Sequence, residues 1–117
     1  MVKNTICLFA SLLAVFAHVD PVQAQVRQVI SGPGANTCGS YLEARSANDS
    51  VNNNLLSSWI QGFLSGANVE RARVKLKMNA IPDASSLLAY ADKYCRNSPL
   101  KSLTQAVIQL DGELERE

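Results

Sequence analysis

The chain has 117 residues, 11 Lys/Arg against 10 Asp/Glu, a formal net charge of +1 and a hydrophobic fraction of 47%. That length suits one domain and not two, and the even charge balance excludes a partner held by bulk positive charge, nucleic acid above all.

The amino-terminal segment has the layout of an export signal. Lys3 is the only charge before Thr5–Ala17, an uncharged apolar run too short to span a bilayer comfortably, and Val22-Gln23-Ala24 supplies the small residues a signal peptidase reads. Residues 1–24 are therefore expected to be a signal peptide, with periplasmic export and a mature chain from Gln25. Cys7 lies inside the apolar run without the small-residue context of a lipidated cysteine. Cleavage also removes His18, the only histidine.

Residues 25–36, with Gly32-Pro33-Gly34 and no sustained apolar period, predict a flexible lead-in, and residues 37–117 a single helical domain. A first helix starts at the N-cap Thr37, carries Cys38 in its first turn and places Tyr41, Leu42 and Arg45 at helical spacing until the polar NDSVNNN run breaks it. In Leu55–Asn68, the apolar residues Leu55, Leu56, Trp59, Ile60, Phe63, Leu64 and Ala67 share half of the helical circle. The surrounding uncharged run holds too many Asn and Ser residues for hydrocarbon, so no stable membrane insertion is expected. Gly62 and Gly66 sit at one boundary of this apolar face, beside Leu55 and Trp59, and with Trp59 and Phe63 are read as helix-packing residues. Their lost helix propensity predicts a compensating close approach by another helix.

Residues 69–81 are expected to start helical and end irregular. The bases Arg71, Arg73, Lys75 and Lys77 form a local positive run, read either as a solvated face or as an anion contact. Asp83 caps a third helix whose Leu87, Leu88, Tyr90, Ala91, Tyr94 and Cys95 cluster on one side. Ser98-Pro99 then predicts the start of a fourth helix with Leu100, Leu103, Val107, Leu110 and Leu114 on its buried stripe and Ile108 outside it. The expected fold is all-α, a small bundle of about four short helices. Cys38 and Cys95, the only cysteines after the signal, are read as a disulfide in an oxidising compartment, two buried free thiols being the alternative.

Catalytic chemistry is hard to assemble from these residues. With His18 gone there is no Ser-His or Cys-His pair, both thiols are expected in the disulfide, and Glu43, Glu70, Asp83 and Asp92 form no motif. The expectation is a protein that is not an enzyme, with no cofactor and no metal.

The exported Thr37-Cys38 helix start, the Trp59-bearing second helix and the Tyr94-Cys95-Arg96-Asn97 end before Ser98-Pro99-Leu100 resemble the small two-cysteine periplasmic proteins related to the acid-stress chaperones HdeA and HdeB. The likeness spans roughly residues 37–114. It implies helical, disulfide-bonded proteins that loosen in acid and hold unfolding periplasmic clients through apolar surface, here Trp59, Phe63, Leu103 and Val107. A homodimer is compatible with it. Only Cys38 and Cys95 carry over as matched residues. The same outline is similar to periplasmic immunity proteins that inhibit type VI cell-wall amidases, and a helical envelope adaptor is a third alternative. Composition adds a physical argument for the first: below about pH 3 most carboxylates are protonated while Lys and Arg stay charged, taking a near-neutral protein to roughly +10.

Overall fold

The computed structural model describes residues 29–117, so the segment 1–24 expected to be a signal peptide and the first residues of the expected lead-in lie outside the described residues. A single 3-10 turn, Gly32–Ala35, precedes four helices: α1 (Cys38–Ser46), α2 (Ser50–Arg73), α3 (Ala84–Asn97) and α4 (Leu103–Leu114). Among the described residues there is no strand. One isolated antiparallel bridge joins Thr37 to Ser102. The fold is all-α.

Helix starts follow capping chemistry. Thr37 Oγ1 accepts from the Ser40 N–H at 3.2 Å, and Asp83 Oδ1 from the Ser86 N–H at 3.0 Å. The NDSVNNN run breaks the helix only at Ala47–Asp49. Asn48 turns into the left-handed region at φ 48, and Asp49 then caps α2 by accepting from the Val51 N–H at 3.1 Å. Asn52–Asn54 consequently belong to the first turns of α2, which is much longer than the predicted Leu55–Asn68.

The fourth helix does not start at Ser98-Pro99. Ser102 and Gln105 form a reciprocal capping box, the Gln105 N–H donating to Ser102 Oγ at 3.3 Å and the Ser102 N–H to Gln105 Oε1 at 3.0 Å. Two satisfied donors outweigh proline preorganisation, and residues 98–101 form a turn instead. Leu100 is therefore 95% exposed and absent from the buried stripe. Backbone bonds from the Cys38 N–H to the Lys101 carbonyl, 2.7 Å, and from the Leu103 N–H to the Asn36 carbonyl, 3.1 Å, pin this turn beside the entrance to α1.

The core is one cluster to which every helix contributes. Tyr41 of α1, Ile60 and Leu64 of α2, Leu87 of α3, and Leu103 and Val107 of α4 are its largest enclosed side chains. Cys38 and Cys95 are bonded inside it, with Cα atoms 4.8 Å apart, joining the first turn of α1 to the last of α3. The bridged positions are 57 residues apart, which by loop entropy stabilises the fold by about 4 kcal/mol.

Two expectations are corrected. Gly62 and Gly66 lie on the outer face of α2, and a Cβ at either would meet nothing within 4 Å. No helix approaches them, because the core-facing side of α2 is built by Leu56, Ile60 and Leu64, roughly 140° around the helix at about 100° per residue. The close approach is made by Gly34, where a Cβ would overlap the Trp59 ring and sit 2.7 Å from Thr104 Oγ1. The lead-in is accordingly docked from Ser31 onward. Gly32 turns at φ 72 beside the ring, Trp59 Nε1 donates to the Ser31 carbonyl at 3.2 Å, and Thr104 Oγ1 donates to the Gly34 carbonyl at 2.7 Å. The ordered domain begins about six residues before Thr37.

Candidate functional site

Three polar ties cross the seams between helices, and each centres on a carboxylate. On the α1–α3 seam, Arg45 donates through Nε to Asp92 Oδ1 and through Nη2 to Oδ2, both at 2.9 Å, while Tyr41 Oη donates to Asp92 Oδ1 at 2.8 Å. Arg45 Nη1 also reaches Asn53 Oδ1 on α2. Antiparallel pairing of α1 and α3 around the disulfide explains the cluster: Tyr41 lies one turn after Cys38, and Asp92 one turn before Cys95. Burial raises the Tyr41 phenol above its ordinary range, and the Asp92 bond adds to this. For Asp92, burial pulls upward but the bonds from Arg45 and Tyr41 overcome it, holding the carboxyl below the usual aspartate value.

On the α2–α4 seam, Arg71 makes a forked pair with Asp111, Nη1 to Oδ1 at 3.0 Å and Nη2 to Oδ2 at 2.8 Å. Buried Asn79 braces it, donating from Nδ2 to both the Asp111 carbonyl and Oδ1 at 3.0 Å. Asn68 in turn holds the Asn79 backbone, accepting from its N–H at 2.8 Å and donating to its carbonyl at 2.9 Å. The α3–α4 seam is tied by Tyr90 Oη donating to Glu113 Oε1 at 2.8 Å. Burial, and secondarily Glu113, pushes the Tyr90 phenol up to about 12. Bonds from Gln109 and Tyr90 hold the Glu113 carboxyl below its ordinary value. This last tie borders a groove of about 400 Å³ between α3 and α4, lined by Lys93, Tyr94 and Asn97.

The residues read as client surface are divided. Trp59 and Phe63, their ring centroids 5.6 Å apart, are half-buried and line an outer groove with Val29, Ile30 and Gly62. Leu103 and Val107 are 0% and 1% exposed, so a client could reach them only after α4 moves. Nor is the basic run a uniform anion contact. Arg71 is engaged by Asp111, and Arg73 by Glu70 at 2.8 Å; the forked acceptor nearby satisfies each guanidinium. Lys75 and Lys77 are exposed and make no ion pair among the described residues.

Of the carboxylates singled out, Asp83 is an N-cap, Glu70 pairs with Arg73 and Asp92 forms the first tie. Sequence reasoning missed Tyr41, Arg45 and Asp92 as a unit, although their spacing from the two cysteines carries the signal. It also missed Asn79 and Asp111, which meet across loop and helix without a local pattern. No group of three His, Cys, Asp or Glu among the described residues could hold a metal ion, and no described helix is long and apolar enough to cross a membrane. Compared with known protein families, curated proteins and solved structures, the chain matches none.

Proposed function

We propose that this protein is a non-enzymatic periplasmic holding chaperone of the HdeA/HdeB kind, which loosens at low pH and captures unfolding clients. The observation that supports it is the dependence of three helix seams, α1–α3, α2–α4 and α3–α4, on the carboxylates Asp92, Asp111 and Glu113. The folded pKa values of Asp92 and Glu113 are depressed. Their contribution to stability is therefore present above the ordinary carboxylate range and is lost as pH falls through the folded values. Protonation of Asp92 and Glu113 removes their ties as net positive charge rises, and the disulfide keeps α1 on α3 throughout. Departure of α4 uncovers Leu103 and Val107 next to Trp59 and Phe63, giving apolar surface for a client.

Light scattering from an acid-sensitive periplasmic client, at about pH 2.5 and near neutrality, tests this reading. Suppression confined to the acid condition, with apolar-dye binding rising in parallel, is the expected result. No suppression in acid at molar excess rejects it. A second reading, an immunity-type inhibitor of a cell-wall amidase, is supported by the outer face of α2, where Val51, Leu55 and Val69 are exposed around Gly62 and Gly66 in the folded state. Capture of a single tight partner near neutral pH, without client protection in acid, would favour it or an envelope adaptor.

A further inference from the structure

Helix α2 ends in a way that fixes an unusual surface. The Lys75 N–H donates to the Ala72 carbonyl at 3.1 Å and the Leu76 N–H to the Arg71 carbonyl at 2.8 Å, with Lys75 in the left-handed region at φ 61. This is the paired-bond helix stop at which glycine is the usual left-handed residue. Here lysine occupies it, and five consecutive residues, Val74 to Met78, are exposed. Val74, Leu76 and Met78 keep 50%, 58% and 57% of their surface in contact with solvent, and Lys75 and Lys77 alternate with them. Water suits the two ammonium groups and not the three apolar side chains, whereas a protein core suits the reverse. The boundary between phosphate head groups and acyl chains accommodates both.

We propose that the Val74–Met78 turn is a peripheral contact site for anionic phospholipid surfaces. The division of the neighbouring cations favours lipid over an acidic protein. Arg71 and Arg73, whose planar forks read carboxylate geometry, are consumed by Asp111 and Glu70, while the unpaired cations are lysines, compact charges on flexible stems that suit laterally mobile phosphates. Glu115, the other acidic group nearby, lies 3.8 Å from Arg71. Because the backbone of the turn is already held by its two hydrogen bonds, contact needs little further ordering. With two charges and three partly inserted side chains, attachment is weak, reversible and sensitive to salt.

The test is flotation, near neutral pH and at low salt, with vesicles of phosphatidylcholine alone and of phosphatidylcholine mixed with phosphatidylglycerol. The chain from Gln25 onward is used, since it contains the whole described fold and lacks the apolar run Thr5–Ala17. Preferential partitioning to the phosphatidylglycerol vesicles is expected. Lys75→Asn with Lys77→Asn should weaken it by about 25-fold, at about fivefold per lysine, and Leu76→Ser with Met78→Ser by about tenfold. Lys93→Asn with Lys101→Asn, an equal change of net charge elsewhere, should leave partitioning within about twofold. Equal partitioning to both vesicle types, or equal losses in all three variants, overturns the proposal. Retention of an acidic protein without vesicle binding also overturns it and assigns the turn to a protein partner. These outcomes are independent of client protection in acid.

Discussion

Between α1 and α3, Arg45 grips Asp92 through two bonds of 2.9 Å; between α2 and α4, Arg71 grips Asp111 through bonds of 3.0 and 2.8 Å. The side chains are similarly sheltered, 21% and 18% exposed in the first pair and 12% and 17% in the second. The polar chemistry is thus nearly the same, and the difference lies in what stands beside it. The α1–α3 seam has the Cys38–Cys95 bond one turn away, whereas the α2–α4 seam has no covalent link, only Asn79 bridging Asn68 and Asp111 and, farther along, the strap at Gly34, packed between Trp59 of α2 and Thr104 of α4. Acid acts on Asp92, whose folded pKa is depressed, but its seam, unlike that of α2–α4, keeps a covalent link afterwards. A protonation that would unfold two independent helices can there only loosen them.

Removing the disulfide should therefore erase the contrast and have the largest effect. Cys38→Ala with Cys95→Ala is expected to lose about 4 kcal/mol, read from urea unfolding, and to make amides of α1 and α3 exchange as fast as those of α4. An unchanged urea midpoint would remove the disulfide from the explanation.

The strap is the next element to break. Gly34→Ala should destabilise by about 1–3 kcal/mol, because Trp59 and Thr104 must both give way, and the loss should concentrate on the α2–α4 seam. Faster exchange confined to α1 would contradict the placement of the strap.

Neutral replacement of the clamps sharpens the comparison in pH. Asp92→Asn and Asp111→Asn should each cost about 1–2 kcal/mol near neutrality, the partial exposure of both pairs limiting the loss. Wild-type stability should fall on acidification as Asp92 protonates, since its folded pKa is depressed. Asp92→Asn should flatten the acid limb of that curve. A limb as steep as the wild type's would mean that other carboxylates carry the transition.

The smallest expected effect is a gain. Gly62→Ala adds a methyl group into open space on α2 and should stabilise by up to about 1 kcal/mol without favouring either seam. Destabilisation would indicate a neighbour at that face.

Much of the fold was legible because local chemistry decides it. Thr37 and Asp83 cap their helices as their types and positions predict, and the 3–4 spacing of Leu103, Val107 and Leu110 marks the buried face of α4. The start of α4 was misread because two serine starts compete there, and the Ser102–Gln105 box wins by satisfying two backbone donors. Gly62 and Gly66 were misread for a different reason. A missing side chain leaves the same mark in a sequence whether another helix or solvent fills the space. The clamps were the least legible feature, since Arg71, Asn79 and Asp111 are brought together by tertiary packing alone. Asp92 could have been placed beside Tyr41 and Arg45 once the cysteines were paired.

The packing of Trp59 over Gly34 has an optical consequence. Trp59 is the only tryptophan in the chain, and its indole N–H is bonded to the Ser31 carbonyl. Ultraviolet-excited indole emission therefore comes from one known position, where the strap meets α2. Lifting the strap would remove the Ser31 bond, expose more of the ring to water and shift the emission to longer wavelength. Helical circular dichroism could persist meanwhile, so the two signals together would separate local undocking from collapse of the bundle.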